Sequence, residues 1–320
     1  MNIYKNKKIL VTGGTGFIGT NLVNKLLQLG SNVKVASDDV SKNLNKEVEY
    51  IKVDLRNLSE CIKVTKNIDI IFHLASFGFG FKANINIQPQ ILTNNILINT
   101  NMLESAYRNN IEKYLFTSSI AVYDKNSEVL DDNLGIRFNN EPEESEKYYA
   151  WSKRIGEIQS KSYYDNYKMN ITIVRLSNPY GPYDTFDLEK SHVVPAFILK
   201  ALSPENEFLI NGSGKTIRNF IYVEDVVEGM LLLLEKYSVC DPVNLCSDEN
   251  LSIYELARIV LKICGKEDKK IKFDLDKPEG VIKRLPLTNK IKNIIGFTPK
   301  TKIKEGLEKT LSWYKNVLGK

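Results

Sequence analysis

Short runs of consecutive apolar residues alternate along this chain with longer stretches whose apolar residues recur every three or four positions. The runs predict strands covered on both faces, and the longer stretches predict amphipathic helices packed over them. Their alternation predicts βαβ units around a parallel sheet. Ile9-Leu10-Val11 is the first run, and residues 17–29 follow it with Ile18, Leu22, Leu26 and Leu29 at helical spacing. Further strands are expected at 33–36, 50–53, 68–74, 114–117 and 171–176, with helices near 89–109 and 144–167. After 176 the rhythm shortens, punctuated by Pro179, Gly181, Pro182, Pro195, Pro204, Gly212 and Gly214, which suggests a smaller second unit. Helices are expected at 223–237, 252–264 and 302–317. The expectation is an α/β chain divided into residues 1–176, with a return around 215–245, and residues 177–320.

Composition narrows the class little. Apolar residues make up 42% and charged residues 26%, ordinary for a globular protein with a sizeable core. The net charge of +5, from 44 basic and 39 acidic residues, is too small and dispersed to suggest nucleic acid. It suits a phosphate-bearing small molecule, and equally plain solubility. Cys61, Cys240, Cys246 and Cys264 lie far apart, and only His73 and His192 could join them. No metal site is expected from that set, and the thiols read as core residues in a reducing compartment. Lys5, Lys7 and Lys8 lead straight into a strand, unlike a signal peptide, and Met230–Leu234 is far too short to cross a bilayer. A cytoplasmic location is expected.

Chemistry enters at Gly13-Gly14-Thr15-Gly16-Phe17-Ile18-Gly19, between the first strand and its helix. Gly14, Gly16 and Gly19 fit G-x-G-x-x-G, and Gly13, Gly16 and Gly19 fit the variant spaced G-x-x-G-x-x-G. Such glycines give a tight turn, close backbone approach to a pyrophosphate, and close packing of helix on strand. The N-terminus of the helix then offers free N–H groups to the phosphates. The fold is therefore expected to be a Rossmann doubly wound parallel sheet with a smaller C-terminal substrate-binding domain. Ser37, Asp38 and Asp39 stand where the adenosine ribose is read, about 20 residues on. A carboxylate at Asp38 would accept from a ribose 2′-OH and repel a 2′-phosphate, which favours NAD. Ser37 at the strand tip and nearby Lys42 keep NADP open. Asp54, after the third strand, is a candidate acceptor for the adenine amine, or an ordinary strand-end residue.

Tyr149 and Lys153 are four residues apart on an expected helix, hence on one face. A nearby ammonium and a positive nicotinamide favour the phenolate and pull its pKa down from about 10. The pair could take a proton from an alcohol whose carbon gives up a hydride, or do the reverse. The strand before it ends in Thr117-Ser118-Ser119, hydroxyls able to hold the reacting oxygen beside the tyrosine.

With these residues in this order, the chain resembles the extended short-chain dehydrogenase/reductase superfamily, in its NAD-dependent nucleotide-sugar epimerase/dehydratase branch. The likeness covers nearly the whole length. It includes the glycine loop, Phe72-His73-Leu74-Ala75, Asn95, and Ser118-Ser119-Ile120-Ala121-Val122-Tyr123. It continues through Tyr149/Lys153, Arg175-Leu176-Ser177-Asn178-Pro179-Tyr180-Gly181-Pro182, and Arg218-Asn219-Phe220-Ile221-Tyr222-Val223-Glu224-Asp225. The resemblance implies that Ser119 is the catalytic hydroxyl. It also implies that Leu74 and Ala75 border the cofactor, Lys153 grips its ribose, and Asn178 and Arg218 contact the diphosphate of a UDP- or GDP-linked sugar. Lys283 and Arg284 lie where the family carries a basic residue near those phosphates; taken alone, they read as solvated loop charges.

Two segments, Phe79 to Asn95 and Asn178 to Phe197, resemble GDP-fucose synthase-like enzymes most. There a cysteine works with a histidine in Ser-His-Val to move protons beside a 4-keto group. His192 matches the histidine, while Ala121 occupies the cysteine position. His192 is thus expected as a substrate-binding or helix-start residue. The Asp-Glu of 4,6-dehydratases is replaced by Ile120-Ala121, which leaves hydride transfer with one proton.

His73 reads as a core histidine. Phe77, Phe79 and Phe81 read either as a sugar-pocket wall or as loop packing, and Trp151 and Trp313 as packing residues. By the resemblance, the helices around 89–109 and 144–167 form a homodimer interface. The expected reaction is oxidation or reduction at C4 of a nucleotide-activated hexose. With NAD retained the outcome is 4-epimerisation; with exchange it is 4-keto reduction. A carbonyl reductase without a nucleotide substrate and a non-catalytic dinucleotide sensor are the further alternatives.

Overall fold

The computed structural model describes residues 2–39, 45–78, 87–277 and 279–317. Lys42, Phe79 and Phe81, with the rest of 79–84, lie outside the described residues. The first strands are β1 (Lys8–Thr12), β2 (Asn32–Ser37), β3 (Glu49–Lys52), β4 (Ile70–His73) and β5 (Lys113–Ser119). Then come β6 (Val129–Leu130), β7 (Ile171–Leu176), β8 (Asn178–Tyr180), β9 (Glu207–Asn211) and β10 (Ile217–Tyr222). Last are β11 (Val243–Leu245), β12 (Asn250–Ser252), β13 (Lys270–Asp274) and β14 (Leu285–Pro286).

Seven of them form one sheet in the order β3-β2-β1-β4-β5-β7-β11, every pair parallel. This is the Rossmann order, with one further strand beside β7. Both faces are covered, so Ile9, Leu10 and Val11 are fully buried, as an unbroken apolar run requires. On one face Leu22 and Leu26 pack with Val226, Met230 and Ile291. They come from helices Phe17–Gln28, Val223–Lys236 and Asn289–Ile295. On the other, Cys61 of Leu58–Val64 and Met102 of Gln88–Arg108 pack against Ile71, Tyr114 and Phe116. The strand order reverses between β1 and β4, and ligands bind beyond the strand ends at such a point.

A separate core, with Phe197, Phe208, Phe220, Leu256 and Leu307, joins Val193–Leu202, Ile253–Ile263 and Ile303–Val317 to β9 and β10. The smaller sheets β12-β10-β8 and β13-β9 contribute to it, while β6 of the pair β14-β6 packs Leu130 into a small separate cluster with Ile120, Val122 and Tyr123. Local boundaries have local causes. The helix expected from 144 opens as a 3-10 turn, Glu144–Glu146, and becomes α-helical only over Lys147–Tyr167, a common tightening of a first turn. Ser252 stands outside its helix because it caps it: its hydroxyl accepts from the Glu255 N–H while Glu255 accepts from the Ser252 N–H. Among the described residues no helix is long and apolar enough to cross a membrane.

His73 is buried between the Thr12 hydroxyl, 2.8 Å from Nδ1, and Asn99 Oδ1, 3.1 Å from Nε2. Burial, helped by the charge of Lys153, pushes its pKa down to about 3. The unfolded chain therefore takes up a proton below about pH 6.5 that the folded chain refuses, so stability falls with falling pH from about 6.5 toward 3. From this group the expected loss between pH 7 and pH 5 is about 2 kcal/mol. Denaturant unfolding of wild type and His73→Gln at both pH values checks it, because their stability difference should narrow by that amount.

Candidate active site

A cavity of about 1130 Å³ opens beyond the carboxyl ends of the central strands and runs to β9 and β10. Of the residues expected at the cofactor, Gly13, Gly16, Phe17, Ile18, Gly19 and Leu74 line it. Ser119, Tyr149, Lys153, Asn178, His192 and Arg218 line it as well. Gly14 packs behind the loop, where a Cβ would lie 2.8 Å from Val35.

The loop has the shape a pyrophosphate needs. Gly13 holds φ +66°, and a Cβ there would lie 3.0 Å from the backbone of Ala75, so Ala75 buttresses the loop. At Gly19 a Cβ would collide with the Gly13 carbonyl. No side chain caps the following helix, and its first N–H groups are left for an anion. These residues fit a dinucleotide. Gly19→Val should weaken its binding by at least tenfold through that collision, with the folded fraction monitored by circular dichroism and affinity by calorimetry.

At the adenosine end, Ser37 closes β2 and its Oγ lies 2.8 Å from Thr15 Oγ1. Asp38 follows, exposed and off the cavity wall. Asp54 faces Arg56 instead: Arg56 Nη2 and Nε donate to its two oxygens at 2.7 and 2.8 Å. These bonds hold its carboxyl below the usual range. That pair fixes the orientation of the Asp54 carboxylate, which stays about half accessible just after β3.

Lys153 projects from Lys147–Tyr167 under Tyr149, with Nζ donating to the Thr117 carbonyl at 2.8 Å and lying 5.5 Å from the centre of the Tyr149 ring. Burial lowers its pKa to about 8. At Tyr149, before any cofactor charge is added, burial and then the charge of Glu146 raise the pKa, outweighing the Ser119 hydroxyl, which favours the phenolate. The protein alone thus keeps the tyrosine protonated, because a phenolate loses its hydration there. Ser119 also accepts from the Ala121 N–H at 3.1 Å, which holds its hydroxyl at the end of β5.

Further along, Asn178 Nδ2 donates to the Asn219 carbonyl at 2.7 Å. Arg218 is joined by Arg284, and burial, with repulsion from Arg284 added, lowers the pKa of Arg218. The reading of Arg284 as a solvated loop charge is corrected: it is only 4% exposed. It donates from Nη2 to the Ile120 carbonyl at 2.8 Å, while Nε and Nη1 are buried without partners among the described residues. Two buried, unpaired donors beside a second arginine are groups that an anion could satisfy. Lys283 turns away toward Glu128, 3.6 Å distant.

His192 ends the loop before Val193–Leu202, with its side chain 64% accessible on the cavity side. Its Nδ1 lies 3.0 Å from the buried carboxylate of Asp184, and that bond raises its pKa. Asp184, Glu143 and Glu146 are contributors that reading the sequence passed over; no spacing links Asp184 to His192. Glu157 carried a signal, being at helical spacing after Tyr149 and Lys153. It pairs with Arg175 at 2.7 Å in the core and accepts from Ser118, the neighbour of Ser119, at 2.6 Å. His73, Trp151 and Trp313 pack: Trp151 lies under Arg154, and Trp313 beside Tyr183 and Phe186.

Comparison with known proteins agrees with this geometry. Residues 9–246 match the model of the NAD dependent epimerase/dehydratase family. The chain is 32% identical to a GDP-mannose 3,5-epimerase of Arabidopsis thaliana, over 99% of this chain and 84% of the relative. It is also 32% identical to a GDP-L-fucose synthase of Sinorhizobium fredii, over 97% and 96%. A UDP-glucose 4-epimerase of Thermotoga maritima, solved with UDP-glucose, superposes with a TM-score of 0.88 at 25% identity, covering 97% of this chain and 99% of that one. A Rossmann sheet, a glycine loop at its switch point and a Tyr/Lys couple facing paired arginines thus meet in one cavity, and the chain is a member of the NAD-dependent epimerase/dehydratase family of nucleotide-sugar epimerases and reductases.

Proposed function

We propose that this enzyme oxidises and re-reduces C4 of a nucleotide-activated hexose, so that the net reaction is 4-epimerisation. The observation that carries this is the wall formed by Ser119, Ile120 and Ala121. It offers one hydroxyl and then two apolar side chains, beside a single Tyr149/Lys153 couple. Such a wall supports redox chemistry at one carbon. It holds no carboxylate pair for loss of water, and a methyl stands where a second proton carrier would be needed.

Bound NAD supplies the hydride acceptor and donor. Tyr149 takes the proton from the C4 hydroxyl and later returns it, so its buried phenol must be brought toward the phenolate by positive charge at the site. Ser119 holds the sugar oxygen in line with it. Lys153, whose Nζ lies 5.5 Å from the centre of the Tyr149 ring, would bond the nicotinamide ribose. Arg218 and Arg284 would hold the diphosphate while the 4-keto sugar turns its other face. Gly13, Gly16 and the N–H groups of Phe17, Ile18 and Gly19 would hold the cofactor pyrophosphate, with Leu74 and Ala75 beside it and Asp38 reading its ribose.

One observation favours a second reading, a 4-keto-sugar reductase: His192, oriented by Asp184, faces the same cavity. Proton NMR of the enzyme with UDP- and GDP-hexoses in D2O separates the two. A new anomeric signal without added cofactor and without deuterium in the sugar ring supports epimerisation. Turnover only with added NADPH and a 4-keto sugar supports the reductase. Deuterium at C3 or C5 would overturn the argument from Ala121. The proposal extends to a cytoplasmic homodimer. Its interface would use the paired helices Gln88–Arg108 and Lys147–Tyr167, which expose Leu97, Tyr107, Ile158 and Tyr167.

A further inference from the structure

The active-site cavity extends past the two arginines, and the chemistry of its far end bears on which nucleotide the enzyme takes. The sugar is set by Tyr149 and Ser119, and the diphosphate by Arg218 and Arg284. The nucleoside then continues away from the reacting carbon, toward the wall made by Val193–Leu202, β9 and β13. Ala196, Phe197 and Leu209 are apolar there and suit the faces of a flat base.

The polar groups at that end are more selective. Asn211 and Asp274 are register partners at the last rung of the parallel β9–β13 ladder, and both line the cavity. The turn after them is pinned by the Gly212 N–H, which donates to the Asp274 carbonyl at 2.7 Å. The neighbouring carboxylate, Glu279, is occupied by the Ser213 N–H. The Asp274 carboxylate makes no hydrogen bond or ion pair among the described residues, so its acceptors stand available at the cavity wall.

We infer that Asp274 is a specificity residue that selects guanine, making the substrate a GDP-linked rather than a UDP-linked hexose; this rests on the nucleotide-sugar reading above. An ionised carboxylate only accepts hydrogen bonds, through two parallel oxygens. Guanine presents two adjacent donors on one edge, N1–H and the N2 amine, which match that fork. Uracil presents one N–H between two carbonyl oxygens, and adenine sets its amine beside an acceptor nitrogen. Either would turn lone pairs toward the carboxylate. Asn211, which both donates and accepts, can meet the guanine carbonyl at the same rung.

The test is titration calorimetry of the full-length enzyme with GDP and with UDP, for wild type and Asp274→Ala, alongside steady-state kinetics with GDP- and UDP-hexoses. Charge-assisted bonds of this kind imply that wild type binds GDP about 10- to 100-fold more tightly than UDP. Asp274→Ala should reduce that ratio to below about threefold, through weaker GDP binding, and kcat/KM should follow the same ratio. Equal affinities, tighter UDP, or a GDP preference that survives in Asp274→Ala would each overturn the assignment. Nucleotide binding needs no turnover, so failure of the C4 reaction leaves the calorimetric result independent.

Discussion

Tyr149→Phe is expected to lower kcat by about 10²- to 10⁴-fold, the usual contribution of a positioned acid/base, while dinucleotide affinity stays within about twofold. The substitution removes one oxygen from a ring whose packing is retained. Lys153 keeps its bond to the Thr117 carbonyl, and the glycine loop lies on another element. Ser119 loses its neighbour but is still held by the Ala121 N–H. A structural role for Tyr149 would lower thermal stability and cofactor affinity along with the rate. Rates by NMR, cofactor by calorimetry and melting by circular dichroism distinguish the cases. Wild-type turnover in Tyr149→Phe would end the mechanism proposed above.

The second large effect lies beneath the site. Arg175 and Glu157 are 3% and 6% exposed and meet at 2.7 and 2.9 Å. Their network includes Ser118 and Tyr123, and Tyr123 in turn donates to Asn244 of β11 at 2.9 Å. Arg175→Met leaves Glu157 charged and unpaired in the core. That should cost about 3–5 kcal/mol and lower Tm by on the order of 10 °C. The double variant Arg175→Met, Glu157→Leu should recover more than half, because no lone charge stays buried. Calorimetric melting of the three proteins checks both statements. A double variant no more stable than the single one would mean that the pair matters for packing rather than charge. Activity should fall with the single variant, since the network supports the strand end that carries Ser119.

Much of this was legible because it is local. A strand buried on both faces reads as an unbroken apolar run in β1, at Ile9–Val11, and as a mostly apolar one in β7, where Thr172 and Arg175 are the exceptions. Glycines that leave no room for a Cβ announce a tight strand-to-helix turn. Tyr149 and Lys153 share a helix face by spacing alone. The pairing of Asp54 with Arg56 was not legible, because strand-end carboxylates look alike until a partner is seen. Arg284 was undervalued because sequence says nothing of burial in a loop. How strongly burial opposes the phenolate at Tyr149 was not legible either, since desolvation depends on what packs around the ring.

By itself, then, the sequence determined strands β1–β5 and β7 with the long helices, the Rossmann class, the glycine loop and the Tyr/Lys couple, because each rests on propensity or on spacing within one segment. Tertiary structure alone decided that Arg284 joins Arg218, that Asp184 orients His192, and that Asp274 shares a rung with Asn211 at the end of the cavity. Those pairs unite residues from separate segments of the chain, and their burial and charge coupling arise only when the second core closes over the strand ends of the first.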